Sequence, residues 1–224
     1  MSKLVLYHGS SYIIEKPVYG QGKDYNDYGR GFYCTKHLEL AKEWACTGDK
    51  DGYANKYEID KKNMKVLDLQ SEEYDILHWL TLLIEYRKFR VTTPSMKKSV
   101  QWLRDNFHID IENYDIIRGY RADDSYFSFA RAFLNNEISL EQLNRAMRLG
   151  DLGEQIVLKS KKAFNAVKFI SFEVADNNVY YTKRKHRDDE AKNAYFRELE
   201  EDLIDGIYIR DLIKGGVETY GLRI

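Results

Sequence analysis

Alternation and helical spacing divide the chain into short strands and amphipathic helices. Leu4, Leu6 and His8 share one face of an expected N-terminal strand that Gly9 ends. Phe32-Tyr33-Cys34-Thr35 is a second β-favouring run, and Leu38, Ala41, Lys42 and Ala45 recur behind it at helical spacing. Between the two runs, residues 13–27 lack periodicity and hold Pro17, Gly20 and Gly22; they read as a loop placed to cover a ligand. Further strands are expected at 55–60, 64–69, 114–119, 155–160 and 168–174, with terminal strands at 207–210 and 218–223. Ile76, Trp79, Leu80 and Leu83 mark a helix over 72–89, and Ser95 is the expected cap of another with Val100 and Leu103 inward. Phe127, Ala130, Phe133 and Leu134 share one face of a helix that follows Asp123 and Asp124. Ser139 and Gln142 fit a capping box, Ser160 caps a short helix, and a last helix runs over 188–204 until Gly206.

At 224 residues and 26.5 kDa, the chain suits one domain with a full core, or one domain and an appendage. A net charge of −1 gives no overall field toward nucleic acid or an anionic membrane. The basic run at 183–187 is read first as a solvated face and second as a phosphate contact. Two cysteines, Cys34 and Cys46, form neither a disulfide framework nor a metal site. No signal peptide opens the chain and no apolar run approaches the roughly 20 residues of a membrane span. A cytoplasmic protein with no membrane partner is expected.

Candidate chemistry collects in two stretches. In the first, Gly29 and Gly31 bracket Arg30 directly before Phe32, where glycine permits a positive φ and a close approach to the main chain. Tyr33 and Trp44, eleven residues apart, sit on a strand and on the helix after it. Such a pair either packs in the core or clamps a flat ligand between its rings. In the second, His8 and Gly9 set an imidazole beside uncovered backbone N–H and C=O groups, all able to hydrogen-bond a ligand. Asp123 and Asp124, beside Arg121, offer carboxylates for catalysis or a helix cap.

Tyr7-His8-Gly9-Ser10, Gly29-Arg30-Gly31-Phe32-Tyr33 and Gln155-Ile156-Val157 stand in order and resemble the three motifs of the ADP-ribosyltransferase superfamily. The likeness is to the branch with a His–Tyr–Glu triad, and to a bacterial family of such domains with an Ala-Asp-Asp element like Ala122-Asp123-Asp124. It implies an α+β fold, a split β-sandwich of two small antiparallel sheets around an NAD cleft. The domain would span 1–175, with a helical insertion at about 70–150, and 176–224 would be an appendage. His8 would bind the adenine-side ribose and the Gly9 backbone the nicotinamide carboxamide, while Tyr33 and Trp44 cover the nicotinamide faces. Tyr7, Ser10 and Gly31 complete the implied NAD-binding set, and the implied catalytic set is His8, Tyr33, Gln155, Asp123 and Asp124, with no metal.

The chain departs from the resemblance at Gln155, where the family has glutamate. Glu154 is adjacent but points to the opposite face of a strand. Cleaving the nicotinamide–ribose bond builds positive charge on the sugar, as glycoside hydrolysis does, and a fixed carboxylate stabilises that charge better than a neutral amide. Glutamine therefore argues against chain elongation and asks for negative charge from elsewhere, with Asp123 or Asp124 the candidates. The expected activity is mono-ADP-ribosylation of an intracellular protein or nucleic acid, by a toxin or defence effector with an antitoxin partner. The alternatives are an NAD glycohydrolase, with water as acceptor, and a non-catalytic module that binds NAD or a partner.

Overall fold

The computed structural model describes residues 3–122, 124–148, 154–200 and 205–222. Along them run β1 (Lys3–Ser10), β2 (Phe32–Cys34), α1 (Leu38–Ala45), β3 (Gly52–Asp60), β4 (Val66–Asp68), α2 (Ile76–Tyr86) and α3 (Pro94–Phe107). There follow β5 (Ile116–Tyr120), α4 (Asp124–Leu134), α5 (Leu140–Arg148), β6 (Glu154–Leu158), α6 (Lys161–Ala166), β7 (Val167–Ala175), α7 (Asn177–Glu200) and α8 (Ile209–Gly215), with a 3₁₀ turn at Glu218–Tyr220. The protein is α+β, and its chain divides into two units.

The first unit, Met1–Asp68, Ile111–Gly119 and Gly153–Arg187, holds both sheets. In one, β1, β3 and β7 pair antiparallel, with Leu6 opposite Tyr57 and Tyr57 opposite Phe169. In the other, of order β2-β6-β5-β4, Tyr33 of β2 lies opposite Val157 of antiparallel β6. The alternating apolar positions Leu6, Phe32, Cys34, Tyr57, Ile59, Ile116, Ile156 and Leu158 meet in one buried cluster. Fully burying each large aliphatic or aromatic side chain contributes roughly 1.5–3 kcal/mol. The second sheet corrects the expectation of two antiparallel sheets: β4 and β5 run parallel. The reason is the long helical connection between them, since parallel neighbours need a crossover that returns the chain to the same end.

The second unit, Leu69–Asp110, Tyr120–Leu152 and Asp188–Ile224, is helical. Residues 76–84 of α2 are all buried, and the Trp79 indole N–H donates to the Tyr120 carbonyl at 3.1 Å. The cap of α3 is Thr93, not Ser95: its hydroxyl accepts from the Met96 N–H at 3.1 Å. Pro94 is suited to the first helical position, so the capping role falls to the residue before it. The Ser139–Gln142 box forms as expected, with bonds of 3.2 and 2.8 Å.

Three other expectations change. Where strands are expected at 207–210 and 218–223, α8 begins at Ile209 and the 3₁₀ turn takes Glu218–Tyr220, residue 223 lying outside the described residues. Buried Ile209 and Leu212 are three apart, a helical spacing, and the Asp211 carboxylate accepts from the Tyr208 N–H at the helix start. Helix α7 begins at Asn177 instead of 188, and its expected end at 201–204 lies outside the described residues. The basic run at 183–187 is no simple solvated face. Arg187 grips Glu43 of α1 through two bonds of 2.9 Å, Lys183 reaches Glu39 at 3.0 Å, and Arg184 donates to the Cys46 carbonyl. These contacts bind residues 177–187 to α1 and the chain after it, and the first unit runs to Arg187.

Candidate functional site

A single bridge between the two sheets builds the first half of the site. The Tyr7 N–H donates to the Thr35 carbonyl at 2.8 Å, and the Thr35 N–H donates to the Tyr7 carbonyl at 2.9 Å. This brings half-buried His8 against β2, where its ring stacks on Phe32 at 4.3 Å and its Nδ1 bonds the Tyr33 carbonyl at 2.7 Å. A carbonyl can only accept, so Nδ1 carries the proton. Burial pushes the His8 pKa below the ordinary histidine value, against the opposing pull of that bond. The neutral ring leaves Nε2 as an acceptor.

Main-chain groups alternate in direction along an antiparallel strand. Those of Tyr7 turn away from β3 to Thr35, so those of Gly9, two positions on, face the same edge. A Cβ on Gly9 would lie 2.0 Å from the Ala41 carbonyl oxygen and 2.9 Å from Trp44 Cβ. Glycine is therefore what allows α1 to pack here, and half-buried Trp44 is its direct neighbour. Beyond Gly9, fully buried Asn55 of β3 donates to Ser10 Oγ, the His8 carbonyl and the Tyr12 carbonyl, and accepts from the Ile14 N–H. The loop after β1 is thus pinned at its root. In the sequence Asn55 carries no signal beyond a polar side chain in an alternating strand.

The second half lies on β2 and β6. Tyr33 is opposite Val157, so Tyr33, Val157 and Gln155 share one face of the sheet. Gly31 sits where a Cβ would come within 2.5 Å of Val157 Cγ1 and 3.0 Å of the Leu158 carbonyl oxygen. Gly29 alone of the two flanking glycines takes a positive φ, +67°. Its carbonyl accepts from the Tyr33 hydroxyl at 2.6 Å, and the same hydroxyl accepts from the Tyr28 N–H at 3.1 Å. The Tyr28 carbonyl accepts from Lys159 Nζ at 3.0 Å; burial lowers the Lys159 pKa, with Glu112 pulling the other way.

This turn delivers a carboxylate that carries no signal of its own in the sequence. Asp27, 4% exposed, accepts from Gln155 Nε2 at 3.0 Å. It is the last residue of the 13–27 stretch that reads as a loop in the sequence, where an aspartate is ordinary loop composition. Glu154 is turned to the other face, where it pairs with Arg118 and with Lys36 at 2.7 Å, and Arg118 also holds Asp68 at 2.8 Å. Tyr7, His8, Gly9, Ser10, Gly31, Tyr33, Trp44 and Gln155 all belong to the first unit. Asp124 opens α4 in the second unit; Asp123 and the Asp124 side chain lie outside the described residues. Among the described residues no helix is long and apolar enough to cross a membrane.

Over residues 4–169 the chain matches the family described as "Protein of unknown function (DUF3990)", and it belongs to that family. No curated protein and no solved structure matches it.

Proposed function

We propose that this DUF3990 protein is an NAD-dependent mono-ADP-ribosyltransferase with a split β-sandwich of ADP-ribosyltransferase type around an NAD cleft. One observation carries the reading. The His8 ring bonds the Tyr33 backbone, and Gln155 lies two residues before the cross-strand partner of Tyr33, so three motifs far apart in sequence converge in one unit.

In this reading His8 Nε2 accepts a ribose hydroxyl of NAD, and the Gly9 N–H and C=O pair with the carboxamide. The rings of Tyr33 and Trp44 flank the nicotinamide, and the Gln155 carbonyl oxygen accepts the 2′-hydroxyl of its ribose. The bond between ribose C1′ and the nicotinamide nitrogen breaks with its electron pair leaving on nicotinamide, which departs neutral. A nucleophile of the acceptor, an intracellular protein or nucleic acid, then bonds C1′ and releases its proton to water. Geometry that holds the ribose as C1′ becomes cationic lowers the barrier more than it tightens ground-state binding. A toxin or defence effector is the biological role that suits such transfer.

The test is incubation of the purified protein with NAD labelled in its adenylate half, with and without cell lysate. Transfer of label to macromolecules with nicotinamide release is the expected result. Release of free ADP-ribose alone would make the protein a glycohydrolase. Binding of NAD without nicotinamide release would make it a binding module.

A further inference from the structure

We propose that Asp27 is the carboxylate of this site, a positioning residue that acts through Gln155. The inference rests on the transferase reading above. A carboxylate removed from water is costly unless its charge is met by donors, and Asp27 is buried against the Gln155 amide. A carboxylate only accepts, so the Nε2 end of the amide faces Asp27 and the Oε1 end is turned away as an acceptor. The turn that carries Asp27 is held by the Tyr33 hydroxyl at Tyr28 N and Gly29 O, and by Lys159 at Tyr28 O. The turn directly after Asp27 is therefore fixed by side chains from β2 and from the chain after β6.

The arrangement also explains why glutamine stands at 155. A glutamate there would set two carboxylates at hydrogen-bond distance, and one would be driven to hold a proton. With Asp27 present, glutamine keeps a single negative charge at the pair. Asp27 supplies the charge and Gln155 makes the contact to the ribose. The bonds made and broken are those of the transfer itself, since Asp27 gains and loses nothing. Titratable groups bonded to the turn that carries Asp27 include the Tyr33 hydroxyl from β2 and Lys159 of the chain after β6, itself paired with Glu112.

The experiment measures nicotinamide release against pH, NAD affinity and thermal unfolding for the full chain and for Asp27→Asn, Gln155→Glu and the double variant. Asp27→Asn should lose about 100-fold in kcat, the scale of a small misplacement at a reacting centre, with NAD affinity changed less than about threefold. Gln155→Glu should add to the wild-type pH profile one further ionisation, above the ordinary carboxylate range. The double variant moves the charge across the same hydrogen bond; it should recover kcat to within about tenfold of wild type and lose that ionisation. Wild-type turnover in Asp27→Asn, or a folded double variant no faster than Asp27→Asn, would overturn the assignment. So would a wild-type pH profile in Gln155→Glu, which decides the matter if Asp27→Asn fails to fold. A wild-type protein that neither binds NAD nor releases nicotinamide would instead overturn the transferase reading on which the assignment rests.

Discussion

Burial of the His8 ring makes stability, and under the transferase proposal NAD binding, depend on pH in a definite direction. Its pKa is lowered in the fold, chiefly by burial. Between the folded value and the ordinary one, the native ring is neutral while the unfolded chain takes up a proton. Stability should therefore fall as pH drops through that window and level off below it. NAD affinity should be flat above the folded pKa and decline on acidification, as Nε2 turns from acceptor to donor. Titrations of NAD from neutral to acid pH check this, and an affinity that rises on acidification would exclude an acceptor role for His8. Tyr33 gives a second prediction at this scale. Its hydroxyl is the shared partner of Tyr28 N and Gly29 O, so Tyr33→Phe removes both bonds while keeping the ring. Loss of about 1–3 kcal/mol in denaturant unfolding is expected, together with slower turnover because the turn that bears Asp27 is loosened. Unchanged stability would show that the hydroxyl bonds contribute nothing to holding the turn.

Among the elements, α1 is the one on which the site leans. It packs onto Gly9, supplies Trp44, and is clamped on its outer side by α7 through Glu43 and Arg187. The Glu43 carboxylate is 5% exposed and the Arg187 side chain 25%, so this is a largely buried, two-bond pair. Removing one partner leaves the other charge uncompensated. Arg187→Ala should cost about 3 kcal/mol, and Glu43→Ala/Arg187→Ala together less than the sum of the two single changes. Additive single effects in chemical denaturation would mean that the pair does not couple α7 to α1. Element by element, the helices with local signals were legible in the sequence: the Ser139–Gln142 box and the Ser160 cap both form. The α3 cap and the C-terminal elements were not, because Pro94 displaced the cap by two residues and short apolar runs near 209 fit a strand or a helix equally well.

For the whole molecule, the chain passes repeatedly between its two units, and neither unit is a continuous segment. Truncation after Ala175 would remove Arg187 from the first unit and the buried Ile209, Leu212 and Val217 from the second. Each such side chain contributes roughly 1.5–3 kcal/mol, against a typical total stability of about 5–15 kcal/mol. The truncated chain is expected to lose cooperative thermal unfolding, read by circular dichroism. A sharp transition at the wild-type Tm would show that residues 176–224 are dispensable to the fold.

By itself the sequence determined the α+β class and most of the strands, and drew attention to His8 and Tyr33, because alternation, glycine placement and capping are local properties of a few neighbouring residues; Gln155 entered only through the resemblance of three motifs. Tertiary structure decided what no local pattern carries. The parallel pairing of β4 with β5 depends on where a long helical connection returns. The docking of the basic run depends on acidic side chains more than a hundred positions away. Asp27 meets Gln155 only when the turn before β2 folds against β6, since hydrogen bonding is set by proximity in space and two residues so far apart in sequence share no periodicity that could announce it.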